Sequence, residues 1–227
     1  MTFSVEIFAP ERFGDDAAQR VGATLPRAGS VVLTGGTTAQ QVYGPLARRH
    51  DDWSAIDVFF SDERCVPPTD PASNYGMAAR LLLEPLGAPR FHRMKGEDRP
   101  ERAADDYDRV FAPAASRGVD VLLLGMGGDC HVAALFPGSR ALGERSRLCL
   151  AVDRPDGLTG LTLTPPALLS AKTIFVIVSG ATKAEAVRRA VHGDEPVATC
   201  PARLLAEAAH ATFLLDEAAA ARLELDG

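Results

Sequence analysis

The chain has 227 residues, 46% of them hydrophobic and 24% charged, with a net charge of −6. That is enough chain to bury a sizeable core, in a composition ordinary for a globular domain. The acidic balance argues against a nucleic-acid partner, which calls for a basic patch, and no apolar run reaches the ~18 residues that cross a membrane.

The start, Met1 to Phe8, lacks a basic stretch followed by a long apolar core, so no signal peptide is read. Cys65, Cys130, Cys149 and Cys200 are scattered without Cys-x-x-Cys spacing or neighbouring histidines. Reduced thiols, no metal site and a cytoplasmic location are the expectations.

In chain order, Val5–Phe8 reads as a strand and Pro10 to Thr24 as a helix. Val31–Thr34 is a short buried strand, Gly35-Gly36 turns the chain, and Thr37–His50 is a helix with Thr37 near its N-cap. Asp57–Ser61 is a third strand. A loop rich in Pro, Asp and Asn over Cys65–Ser73 leads to a helix over Tyr75–Leu83. Glu101–Ala115 is helical, with Ala104, Tyr107, Val110 and Phe111 on one face. Val119–Leu124, Thr173–Val178 and Thr212–Leu215 are strands; Lys183–Val191, Ala202–Ala208 and Glu217–Leu223 are helices. Strands alternating with helices predict an α/β fold, a mainly parallel Rossmann-like sheet covered by helices on both faces. No linker or repeat divides the chain, so one domain over 1–227 is expected.

Three strand ends carry chemistry. Leu122-Leu-Leu-Gly-Met-Gly-Gly-Asp-Cys-His131 is a buried strand, a glycine turn and an Asp-x-His pair; Val132–Phe136 then reads as a helix start. Open α/β sheets place ligands at such strand ends, and a histidine there, with an unperturbed pKa of about 6.5, suits proton transfer. Leu33-Thr-Gly-Gly-Thr-Thr38 exposes backbone N–H groups at a helix start, which is an anion site. It matches neither a Walker A loop nor a dinucleotide fingerprint. Phe59 to Pro68 runs a strand into Asp62, Glu63 and Arg64, and Arg64 can grip a phosphate bidentately. Each segment alone also reads blandly, as a capped turn or a solvated salt bridge.

Taken together, the segments resemble the 6-phosphogluconolactonase family. The likeness rests on Thr34-Gly-Gly-Thr-Thr38, Ser61-Asp-Glu-Arg-Cys-Val-Pro-Pro68 with Ser73-Asn-Tyr75, and Gly125-Met-Gly-Gly-Asp-Cys-His131 with Leu135-Phe-Pro137. Leu161 to Pro165, Val178 to Lys183 and Cys200-Pro-Ala202 follow in the family's order. The resemblance implies hydrolysis of 6-phosphoglucono-lactone to 6-phosphogluconate in the oxidative pentose phosphate pathway, without cofactor or metal. It also implies a small-molecule sugar phosphate as partner; no nucleic-acid or membrane partner is expected from the charge and hydropathy, and a monomer or weak homodimer is expected.

On that reading His131 is the general base and returns the proton to the leaving ring oxygen. Asp129 orients the imidazole, and backbone N–H groups of Gly127 and Gly128 hold the oxyanion. Arg64 and Lys183, with Gly35, Gly36, Thr37 and Thr38, clamp the phosphate. Asp62 is a second acid/base or a support for Arg64.

This sequence departs from the family pattern in three places. Cys130 replaces a usual Gly, and at positive φ it would be strained by roughly 1–2 kcal/mol. Gly160 stands where an Arg is frequent, and Val132 and Ala134 replace small hydroxyl residues. Cys130 is expected at an exposed helix start with a reactive thiol. Two rival functions remain. An amino-sugar-phosphate deaminase or isomerase resembles the family but has a Glu five residues after the His, where this chain has Phe136. The other rival is a sugar-phosphate sensor that has lost catalysis. His50, at a helix end, and His92, His192 and His210 carry no partner pattern.

Overall fold

The structure, a computed structural model, describes residues 3–49, 52–87 and 90–224. His50, read as the end of a helix, lies outside these residues. Six parallel strands form the main sheet: β1 (Ser4–Phe8), β2 (Gly29–Leu33), β3 (Ile56–Phe60), β5 (Val119–Gly125), β8 (Ala171–Val178) and β9 (Ala211–Asp216), in the spatial order β1-β9-β8-β5-β2-β3. Their apolar sequences follow from burial on both faces. In β5, Val121 and Leu123 point into one core while Leu122 and Leu124 point into the other. The expected α/β architecture is the one found.

One face is covered by α1 (Phe13–Gly22), α2 (Thr37–Arg49) and α3 (Asn74–Ala78), which continues as a π-helical turn over Ala79–Leu83. The other carries α4 (Pro100–Arg117) and α6 (Ala184–His192). Helix α4 starts with Pro at its first position and stops at Gly118, whose φ of 78° is costly for other residues. Its buried seam is Ala103, Ala104, Tyr107, Phe111 and Ala114; Val110, expected on that seam, is 45% exposed. The expected helix over 202–208 is a 3₁₀ turn, Pro201–Glu207, and the C-terminal helix is the short α7 (Glu217–Ala220). A short α5 (Pro165–Leu169) was not anticipated.

The same face holds an unanticipated second sheet. Strand β4 (Asp62–Arg64) pairs antiparallel with β7 (Thr159–Leu163), and β7 with β6 (Cys149–Asp153). The two sheets join at Ser61, whose N–H donates to the Leu33 carbonyl at 2.8 Å and whose carbonyl accepts from Leu163 N–H at 2.8 Å. The charged run at 62–64 is therefore a strand and not a solvated turn.

The chain order in the main sheet reverses between β2 and β5. A crevice opens there at the carboxyl ends, as in other open α/β sheets. Two buried tyrosines tie down neighbouring strand ends. Tyr43 Oη accepts from Thr34 N–H at 2.9 Å and donates to its carbonyl at 2.6 Å; Tyr107 Oη does the same for Phe60 at 2.7 and 3.2 Å.

Beside the crevice, the carboxylate of Glu63 is 2% exposed and accepts four hydrogen bonds. Oε1 receives Arg64 N–H at 2.8 Å and Asn74 N–H at 2.7 Å, and Oε2 receives Ser73 Oγ at 2.9 Å and Tyr75 N–H at 2.8 Å. Burial pushes the carboxyl above its ordinary value while the four donors pull it down. Each contact is a donor, so the ionised, acceptor-only form fits the site. Glu63→Ala leaves four donors to find new partners, at about 1–3 kcal/mol for each one left unsatisfied in the interior. A stability loss of about 3 kcal/mol or more is expected in chemical denaturation, and a loss under about 1 kcal/mol would show that the cluster does not hold this corner.

Candidate active site

Thr34, Gly35 and Gly36 follow β2, Asp62 and Arg64 form β4 after β3, and Gly125, Met126 and Gly127 end β5. These segments line one cavity together with Thr37, Thr38, Asn74, His131, Ala133, Arg154 and Lys183. All three sequence-predicted segments therefore meet. Gly125 N–H donates to Thr34 Oγ1 at 3.2 Å across the crevice.

Helix α2 begins at Thr37 and has no acidic residue in its first turn, so the positive end of its dipole is uncompensated at the cavity wall. Thr38 Oγ1 lies 3.2 Å from Ser179 Oγ. Lys183 ends a 3₁₀ turn, Ala181–Lys183, that precedes α6; the helix starts one residue later than expected. That turn is anchored by Asp216, which accepts from Gly180 N–H at 2.9 Å and caps α7 through Ala219 N–H at 2.7 Å.

His131 and Asp129 are in contact. Asp129 Oδ1 is 2.6 Å from His131 Nδ1 and accepts from the His131 N–H at 3.2 Å. Burial raises the Asp129 carboxyl, but the hydrogen bond and charge of His131, with backbone N–H groups, outweigh it and bring it to about 2. An ionised carboxylate at Nδ1 needs the ring proton there. Nε2 is then left as the acceptor.

The segment after His131 is not the expected helix. Val132 to Phe136 are all buried, so no polar side defines a helical face. Met126 bridges Val132, Val132 bridges Leu135, and Ala134 N–H is taken by Thr162 Oγ1 at 3.1 Å. Cys130 and Ala133 have φ of 73° and 51°, each costing roughly 1–2 kcal/mol for a residue with a side chain. Cys130 thus sits in the strained backbone expected of it. It is not exposed at a helix start: its side chain is buried, and its thiol donates to the Ala186 carbonyl at 3.4 Å. The hydrogen bond with the Cys200 thiol holds the Cys130 thiol below its ordinary value, but burial denies it the exposure that its expected reactivity required.

Gly127 and Gly128 also differ from expectation. The Gly127 N–H donates to the His131 carbonyl at 2.9 Å and is not directed at a ligand; Gly128 is exposed and does not line the cavity. Gly127 matters for its missing side chain, because a Cβ there would lie 2.1 Å from His131 Nδ1 and 2.4 Å from Asp129 Oδ1.

Asp62 is 6% exposed and fully engaged, accepting from Ser61 Oγ and Asn74 Nδ2, each at 2.9 Å. It does not hold Arg64, whose Nη1 donates to the Ala72 carbonyl at 2.6 Å. Arg64 Nε and Asn74 Oδ1 are buried without a hydrogen-bond partner among the described residues. Asn74 and Arg154 are cavity residues that sequence reasoning did not assign. Asn74 was legible within Ser73-Asn-Tyr75, whereas nothing in the string around Arg154 marks it. His92 is elsewhere, stacked on Phe59 and 3.1 Å from Asp57 Oδ1. Among the described residues no cluster of three His, Cys, Asp or Glu side chains is arranged to hold a metal ion.

Residues 11–214 match the family of glucosamine-6-phosphate isomerases and 6-phosphogluconolactonases. The chain belongs to this family. Relatives include a 6-phosphogluconolactonase of Treponema pallidum, 37% identical over 75% of both chains, and one of Mycobacterium bovis, 34% identical over 98% of this chain and 99% of its own. Among solved structures, the devB protein superposes with a TM-score of 0.86 at 28% identity, covering 98% of this chain and all of that one.

Within this family member, Gly127→Ala tests the dyad without touching its functional groups. The added methyl displaces His131 or Asp129, so turnover should fall at least 100-fold while the melting temperature stays within a few degrees. Turnover within threefold of wild type would mean that the Asp129–His131 contact is dispensable.

Proposed function

We propose that this protein hydrolyses 6-phosphoglucono-lactone to 6-phosphogluconate, as the lactonase relatives are named for doing. The observation that carries the reading is the imidazole of His131, held through Nδ1 by Asp129 and lining a cavity with Arg64, Lys183 and the α2 N-terminus. A lactone ester with a remote phosphate needs such a base and such a clamp.

In the proposed reaction Nε2 takes a proton from water as its oxygen bonds to the lactone carbonyl carbon. The tetrahedral intermediate collapses by breaking the bond to the ring oxygen, which receives that proton from the imidazolium. The carboxylic acid formed then releases a proton to solvent. Asp129 stays ionised throughout and keeps the ring in one tautomer. Arg64, Lys183 and the N–H groups at Gly36–Thr38 bind the phosphate, and this remote binding energy positions the carbonyl for attack. Asp62 acts by holding the Asn74 amide against the cavity.

The deaminase reading loses ground at Phe136, whose ring lies 4.5 Å from that of His131 where the relay of those enzymes would need a carboxylate. Accompanying proposals are a cytoplasmic location in the pentose phosphate pathway and a monomer or weak homodimer. Among the described residues no helix is long and apolar enough to cross a membrane.

His131→Ala should lower the rate of lactone hydrolysis about 10²–10⁴-fold, the usual contribution of a general base, with spontaneous hydrolysis subtracted. A variant keeping more than about a tenth of wild-type turnover rules out this role. Wild-type protein that binds 6-phosphogluconate yet hydrolyses no lactone would instead be a sensor.

Arg64→Ala should weaken 6-phosphogluconate binding tenfold or more, since a charge-assisted hydrogen bond is worth roughly 1.5–3 kcal/mol. Turnover of unphosphorylated gluconolactone should hardly change. Equal losses on both substrates would assign Arg64 to the chemistry or the fold.

A further inference from the structure

Arg154 belongs to the turn between β6 and β7, a segment with no motif of its own. Yet its side chain is 10% exposed and lines the cavity that holds His131, Arg64 and Lys183. Three contacts bring it there. Its guanidinium lies over the Phe136 ring, 5.4 Å from the centroid, and the His131 imidazole lies 4.5 Å from the same ring. Nε and Nη2 are held by Asp156 at 3.1 and 2.9 Å, which leaves Nη1 as the arm of the fork not engaged by that carboxylate. The methylenes cross the backbone of Gly160, where a Cβ would come within 2.9 Å of Arg154 Cδ and 3.3 Å of Cγ.

Gly160 is the residue of β7 paired with Arg64 on one side and Val152 on the other. Its φ is not in the left-handed region, so the backbone does not require glycine; the space above it is what Arg154 uses. The charge of Arg64 also reaches Asp156, whose carboxyl is held below its ordinary value first by the hydrogen bond from Arg154. Two guanidiniums thus line one cavity with Lys183, and the single carboxylate on Arg154, Asp156, leaves the Nη1 side of its fork for a second anion.

We infer that Arg154 is an anion-binding residue of this site, contributing its guanidinium to the charged oxygens of a phosphorylated sugar acid, and that Gly160 sets its reach. The inference rests on the proposed function for the identity of the substrate, but its binding test does not depend on turnover. The ligand chemistry is an oxyanion group, either the phosphate or the carboxylate.

The test is calorimetric binding of 6-phosphogluconate, inorganic phosphate and gluconate to wild type, Arg154→Met, Arg154→Lys and Gly160→Ala, with lactone hydrolysis measured alongside. Methionine keeps the packing on Phe136 and removes the charge. Its affinity for 6-phosphogluconate should drop at least tenfold, with KM raised by a similar factor. Lysine should recover only part of this, because an ammonium lacks the planar fork. In Gly160→Ala the added Cβ meets the arginine stem at 2.9 Å and the Glu63 carbonyl at 3.3 Å, and the flexible stem takes the larger shift. Affinity should fall about threefold or more with the melting temperature nearly unchanged. A parallel loss for inorganic phosphate places Arg154 at the phosphate, and a loss confined to gluconate and 6-phosphogluconate places it at the carboxylate; both support the inference. Binding of 6-phosphogluconate within twofold of wild type in Arg154→Met overturns it. So does an Arg154→Met protein that fails to fold while Gly160→Ala and Arg154→Lys bind as wild type. If wild type binds 6-phosphogluconate but turns over no lactone, only the proposed function fails.

Discussion

The buried carboxylate of Glu63 is the constraint from which the rest of the site is built. Strand alternation sends Asp62 and Arg64 toward the cavity and turns Glu63 the other way, into the protein. There it gathers donors from its own strand, from the end of the long loop at Ser73 and from the first turn of α3. One group therefore fixes the direction of Arg64, the start of α3 and the place of Asn74. In water such an arrangement would be worth little. Inside the protein, the cost of leaving any of these donors unpaired holds them together.

Several glycines act here by taking up no room. A Cβ on Gly35 would lie 1.8 Å from Asn74 Oδ1, one on Gly127 would strike the His131–Asp129 pair, and one on Gly160 would strike Arg154. Each lets a polar side chain approach the main chain more closely than any other residue permits. None of the three has a left-handed φ. Left-handed backbone beside the base falls instead on Cys130 and Ala133, which are held there by burial and by the hydrogen bonds from Ala202 N–H to the Cys130 carbonyl and from Ala134 N–H to Thr162. The surrounding core sustains the strain that aims His131.

Charge is distributed to match. The chain carries a net charge of −6, yet the cavity wall presents Arg64, Arg154, Lys183 and an uncompensated helix N-terminus, with the carboxylates beside it satisfied by hydrogen bonds. Asp62 and Asp129 thus serve as holders of neighbouring groups. An anionic substrate meets cations on that wall.

The sequence by itself determined the parallel sheet, its helical cover and the three strand ends that meet at the crevice, because apolar periodicity and glycine turns are local signals. It also marked His131, Asp129, Arg64 and Lys183. Only the tertiary structure decided the rest. The antiparallel sheet β4-β7-β6 escaped because its strands are short and one begins with three charges, whose burial depends on partners about 100 residues away in β7. Val132–Phe136 is as apolar as a helix core, but its backbone pairs with Met126 and Thr162 and closes one tight turn from Leu135 N–H to the Val132 carbonyl in place of a helix. The Gly127 N–H is spent on the His131 carbonyl, and the stem of Arg154 occupies the space that a Cβ on Gly160 would take. Contacts of that kind are set by which strands lie side by side, and no window of local sequence contains them.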